Sequence, residues 1–162
     1  IVGCKLSYLK DSLYIFVVYI PPDVILADFI SFIESLISYS LEFSNILILG
    51  DFNVSGFMSN ATDSKSTLLH DMMASLNLTQ LNSVSNTKGH FLDLVFSTFK
   101  RCVTTHDTCP LVVEDIHHPP LNLELRIDKS SQVSVIHNKS NSQSDNQENT
   151  SFTRDLKLCT FW

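Results

Sequence analysis

The longest unbroken apolar run, Leu13–Ile20 (Leu-Tyr-Ile-Phe-Val-Val-Tyr-Ile), is β-branched and aromatic and stops at Pro21-Pro22. A run of that kind, closed by proline, predicts a strand buried on both faces. After the prolines the period changes. Leu26, Phe29, Ile30, Ile33, Leu36 and Ile37 recur at helical spacing within 24–43, with Asp23 as the expected N-cap. Asn45–Leu49 predicts a second buried strand, ended by Gly50-Asp51-Phe52-Asn53. A second helix is expected over 64–77, where Leu68, Leu69, Met72, Met73 and Leu76 share one face. Short strands are expected near 79–84, 92–97 and 121–127. Helices alternating with strands imply an α/β or α+β layered architecture over residues 1–128.

The pattern fades after Asp128. Ser, Asn and Gln crowd residues 130–151 and leave little to bury, so 129–151 reads as a solvated linker. Residues 152–162 turn apolar again and read as the start of a downstream segment. The chain opens at Ile1 without an initiator Met or a secretory n-region, so it is expected to be a piece of a longer reading frame. No apolar run approaches the roughly 20 residues of a membrane helix, so no membrane partner is expected. Four cysteines (Cys4, Cys102, Cys109, Cys159) lie apart with no C-x-x-C pair. That argues against a zinc site and for reduced thiols, hence a nuclear or cytoplasmic protein that is not secreted.

Charge sharpens the picture. The formal net charge is -6, and the excess is concentrated: residues 1–128 hold seven Lys/Arg against fourteen Asp/Glu. A protein that grips nucleic acid by itself normally carries the opposite sign. The acids serve either solubility or a cation site.

The chemistry begins at Gly50-Asp51-Phe52-Asn53, where a buried strand delivers an acid and an amide to its C-terminal end. Gly, Asp and Asn are also turn formers, so the motif alone is equally well read as a turn. Its neighbours shift that balance. Tyr19-Ile20-Pro21-Pro22 ends the preceding strand, and Thr87 lies downstream. Leu92-Asp93-Leu94-Val95-Phe96 carries an acid within an apolar strand, and a buried acid there needs a hydrogen-bond partner or a metal. Last come His117-His118-Pro119-Pro120.

The order Tyr-x-Pro-Pro, Gly-Asp-Phe-Asn, Leu-Asp-Leu-Val-Phe and His-His-Pro resembles that of the endonuclease/exonuclease/phosphatase family, in particular the endonuclease domain of LINE-type (non-LTR) retrotransposons. The likeness spans about residues 13–126, the C-terminal part of such a domain, with Leu68–Met73 and Leu78–Leu81 filling the stretch between motifs. It implies a four-layer α/β/β/α sandwich, here partial because the family's first strands lie upstream. It also implies Mg²⁺-dependent hydrolysis of DNA phosphodiesters, and a reverse transcriptase fused in the parent reading frame. Carried over, Asp51 would act on the attacking or leaving oxygen and Asn53 would hold a phosphate oxygen. Asp93 would support the histidine or the phosphate, and His117 would stabilise the developing charge. Tyr19 and Thr87 would line the substrate site; no metal ligand is carried over, and Asp51 is the one candidate for that role.

This chain departs from the family in two ways. The family's metal-holding Glu and its partner Asn belong upstream of Tyr19, leaving the metal site short of ligands. The family's Ser-Asp-His reads Asp115-Ile116-His117 here, so Ile116 occupies the place of the carboxylate that orients the imidazole. The resulting expectation is an endonuclease-domain fragment that is inactive as this chain. The alternatives are a domesticated, non-catalytic binding module and a phosphatase of the same fold.

Overall fold

All six residues of β3 (Ile46–Asp51) are buried, and the rest of the molecule is arranged around that strand. The computed structural model describes residues 1–8, 11–59, 62–99, 101–110, 115–126 and 155–159. The expected linker over 129–151 lies outside the described residues. β1 (Val2–Tyr8), β2 (Asp11–Tyr19), β4 (Thr79–Gln80) and β5 (Asp93–Ser97) complete a mixed sheet of order β1-β2-β3-β5-β4. β2 and β3 are parallel, and the crossover between them carries α1 (Leu26–Ser40); β1–β2 and β3–β5 are antiparallel.

The even-numbered residues of β3 face the helices. Ile46 and Ile48 join Val18, Leu94 and Phe96 beneath Phe29, Ile33 and Leu36 of α1. Leu69, Met72 and Leu76 of α2 (Ser64–Leu76) close the same core. The odd-numbered residues face the other way. Leu47 and Leu49 pack with Leu13, Ile15 and Val95 against Cys102, Leu121, Leu123 and Leu125. Those last residues belong to a second sheet of order β6-β7-β8: β6 (Cys102–His106), β7 (Leu121–Arg126) and β8 (Asp155–Cys159). The described residues thus form helices on sheet on sheet, three of the four expected layers. No described helix is long and apolar enough to cross a membrane.

Several local expectations change. α1 is capped at Ile25 without a side-chain bond, not at Asp23, because a turn from Pro21 (Val24 N–H to Pro21 O, 3.2 Å) delays the helix. α2 has the side-chain cap instead, with Asp63 Oδ1 accepting the Ser66 N–H at 3.0 Å. β8, within the expected 152–162 segment, pairs antiparallel with β7. β1 and β6 were not expected.

Candidate active site

The strand order sets three chemical side chains in one row. Tyr19 of β2 lies beside Asp51 of β3, and Asp51 lies directly opposite Asp93 of β5. Asp51 and Asp93 continue the odd-numbered face that points toward the second sheet, and both are buried, 2% and 3% exposed. Two carboxyl groups facing each other in a poorly hydrated place raise each other's cost of ionising.

Gly50 is what allows this row to form. It pairs with Val18 at a φ of 144°, and a Cβ there would stand 1.9 Å from the Val18 carbonyl oxygen. Only glycine permits so close an approach with that backbone. Phe52, the variable residue of the motif, is fully buried and meets Phe96 edge-on with ring centroids 5.3 Å apart, which anchors the turn in the helix-side core. Asn53 then takes a left-handed conformation (φ 52°), which Asn tolerates better than most residues.

That turn folds the Asn53 amide back over Asp51. The Asn53 N–H donates to Asp51 Oδ1 at 3.0 Å, and Asn53 Nδ2 donates to Asp51 Oδ2 at 2.6 Å and to the Ile20 carbonyl at 2.8 Å. Both amide protons are therefore committed inside the protein. The Asn53 amide thus holds the Asp51 carboxylate in place at the site where Asn53 was expected.

The imidazole that reaches this row is that of His118, not His117. His118 Nδ1 lies 3.0 Å from Asp93 Oδ2, and Nε2 lies 3.9 Å from Asp51 Oδ2, with the ring 23% exposed. The reason is local. Asp115 Oδ1 accepts the His117 N–H at 2.7 Å in an Asx turn, and the His117 carbonyl accepts Asn86 Nδ2 at 3.3 Å. His117 is thereby held by its backbone on the loop while the next ring turns inward. Asp115 closes the turn, and the carboxylate that meets the inward-turned imidazole is that of Asp93, while Ile116 is 62% exposed.

Thr87 is near but engaged: its N–H and hydroxyl both reach the Ile116 carbonyl, at 3.5 and 3.2 Å. Tyr19 lies in the row with its side chain 59% exposed. Asp51, Asn53, Asp93, Thr87 and Tyr19 are thus gathered at one end of the sheet. His118 was missed, as were two buried amides, Asn82 and Asn86, whose only sequence signal is Asn in a region rich in turn formers.

The electrostatics follow from burial. Burial raises the Asp51 carboxyl above its ordinary range, against the pull of His118 and the Asn53 bonds. Burial pushes Asp93 up to about 6, again against His118, with Asp51 and Asp115 adding to the rise. Asp93 Oδ1 is buried without a hydrogen-bond partner. One oxygen from each carboxyl and one imidazole nitrogen lie within 4.8 Å of one another. A divalent cation suits that set: it would satisfy the orphaned oxygen and offset the paired negative charge. Asp51 and Asp93 Oδ1 are the oxygens that would hold it.

Residues 13–118 match the family model described as endonuclease-reverse transcriptase. No curated protein and no solved structure matches the chain.

Proposed function

The chain belongs to the endonuclease-reverse transcriptase family, the LINE-type branch of the endonuclease/exonuclease/phosphatase domains, and on that footing we propose that the Asp51–Asp93–His118 cluster is a site for metal-assisted cleavage of DNA phosphodiesters. The observation that carries the reading is the convergence of two buried, opposed carboxyls and one imidazole at a strand end. A solubility surface has no use for acids buried at 2% and 3% exposure.

In-line hydrolysis needs a group to take a proton from water and a group to meet the charge growing on the phosphoryl oxygens. Asp51 is the proton acceptor. Its burial raises its proton affinity toward the working pH, and Asn53 holds the carboxylate still. Asp93 fixes the His118 tautomer through Nδ1, leaving Nε2 to face Asp51 and the reacting phosphate. As the bond from the water oxygen to phosphorus forms, the bond to the leaving sugar oxygen breaks, and His118 stabilises the phosphoryl oxygens. A bound Mg²⁺ would polarise the phosphate and lower the cost of that charge.

The grip on Mg²⁺ is weak in this reading. Mg²⁺ requires near-octahedral oxygen ligation, and here both Asp51 oxygens already accept from Asn53 and Asp93 Oδ2 meets His118, which leaves Asp93 Oδ1 as the uncommitted carboxyl oxygen of the cluster. The acidic balance of residues 1–128 adds no attraction for DNA. A reverse transcriptase in the parent reading frame is the natural partner that would supply it.

The direct test is nicking of supercoiled plasmid in Mg²⁺. The expected rate is close to background, and whatever rate remains disappears with chelator and with Asp51→Asn. Strong nicking that still depends on Asp51 keeps the site and overturns the weak grip. Strong nicking indifferent to Asp51→Asn removes the cluster from the chemistry.

A further inference from the structure

Asp93 and His118 do not hold their own positions. Each of the two is carried on a chain segment that a buried asparagine ties down. Asn82 is 3% exposed and Asn86 6%. Their bonding follows one pattern. Asn82 Oδ1 accepts the Val84 N–H at 2.7 Å, while its Nδ2 donates to the Val84 carbonyl at 3.3 Å and across to the Asp93 carbonyl at 2.6 Å. Asn86 Oδ1 accepts the Lys88 and His90 N–H groups, each at 3.0 Å, while its Nδ2 donates across to the His117 carbonyl. In both, the oxygen closes a local turn and the nitrogen reaches the peptide that carries a member of the Asp93–His118 pair.

We propose that Asn82 and Asn86 are positioning residues that set the Asp93 and His118 peptides at the separation their hydrogen bond requires. The chemistry explains the residue type. An Asx turn needs only a side-chain oxygen, which Asp supplies as well as Asn. The cross-strand half needs a donor, and of the two only Asn has one. Asn86 has a further task, because its donor holds the peptide between His117 and His118 itself. Pro119 and Pro120 have no N–H to give, Asp115 accepts from the backbone on the N-terminal side, and Thr87 and Asp107 hold the flanking Ile116 and Pro120 carbonyls. Without the Asn86 donor the His117 carbonyl loses that tie, and the 3.0 Å contact to Asp93 should loosen.

This inference rests on reading Asp93 and His118 as the working pair, so its test avoids activity. The readout is the His118 Nδ1–H proton in the proton NMR spectrum of the full chain, above the Asp93 transition, assigned by its absence from His118→Asn. Hydrogen-bonded to a carboxylate, it gives a downfield signal that exchanges slowly with water. Asn86→Asp retains the oxygen that closes the turn and loses the donor. We expect that variant to keep a cooperative thermal transition while the His118 proton exchanges at least roughly tenfold faster, or broadens away, as an order-of-magnitude change for the loss of one fixing bond. Ser85→Ala, in the same exposed loop, should leave the signal untouched.

A His118 signal with wild-type exchange in Asn86→Asp overturns the proposal. Should Asn86→Asp fail to fold, the wild-type protein decides. The Asn86 Nδ2 protons and the His118 Nδ1 proton should lose protection together as denaturant is added, and independent loss refutes the coupling. A protein that never nicks DNA but passes these tests retains the positioning and loses the hydrolytic reading.

Discussion

Replacing Asp93 by Asn is the perturbation whose outcome the structure fixes most tightly. Four influences act on Asp93. Burial opposes its charge, His118 favours it, and the facing Asp51 and the nearby Asp115 oppose it again. Burial wins, and the carboxyl is pushed up from 3.8 to about 6. An acid whose folded pKa is raised contributes stability fully below the unfolded pKa and loses it as pH rises through the folded pKa. The window is therefore pH 4 to 6, and above it the folded protein carries a penalty of about 3 kcal/mol, roughly two units at about 1.4 kcal/mol each. Asn has the same shape, keeps an oxygen for His118 Nδ1, and never ionises. Asp93→Asn should therefore be more stable than the parent at pH 8 by on the order of 2–3 kcal/mol, or about 5–10 °C in Tm for a protein of this size. The gain should shrink toward zero near pH 4. The assay is thermal unfolding across that range with chelator present. A destabilised Asp93→Asn at pH 8, or a difference that does not vary with pH, would refute the electrostatic account of the cluster.

Other outcomes follow from neighbouring contacts. Gly50→Ala should abolish cooperative folding, since the new methyl group collides with the Val18 backbone; a normal melting curve would show that β2 and β3 are not so closely paired. Asp63→Ala should cost about 1 kcal/mol by removing the α2 cap, read as a lower Tm. Because hydrogen bonding to Ser66 lowers the Asp63 carboxyl below its ordinary range, that contribution is present at neutral pH and fades only as pH falls through the lowered value. Ile116→Asp, at an exposed position, should leave the His118 proton signal unchanged, because Asp93 already orients the ring; a large change would return the orienting role to residue 116.

How much of this was legible in the sequence depends on how much apolar surface each element buries. β2, β3, β5, β7 and both helices carry periodic core residues and were readable. β1 is a sheet edge whose Val2 and Cys4 stay exposed, and β6 buries only Cys102 and Thr104, so neither leaves a clear signature. Asp51 and Asp93 were legible because acids that end or open apolar strands require an explanation. The choice between His117 and His118 was not. Adjacent residues point in different directions, and the decision rests with Asp115 and Asn86, one of them distant in sequence. The contact of Asn53 with Asp51 was hidden for a similar reason, since it forms within a left-handed turn that the residue type alone does not reveal.

The central claim is that Asp51, Asp93 and His118 form one cation-accepting site, and titration with Mn²⁺ followed on the histidine ring signals tests it most directly. The cluster predicts selective paramagnetic broadening of the His118 ring in the millimolar range, while His70, His90 and His106 stay sharp. Mg²⁺ should compete with the effect, and Asp51→Asn should remove it. Uniform broadening of all the histidines, or His118 broadening that survives Asp51→Asn, would contradict the account and leave the three residues a structural cluster without a cation.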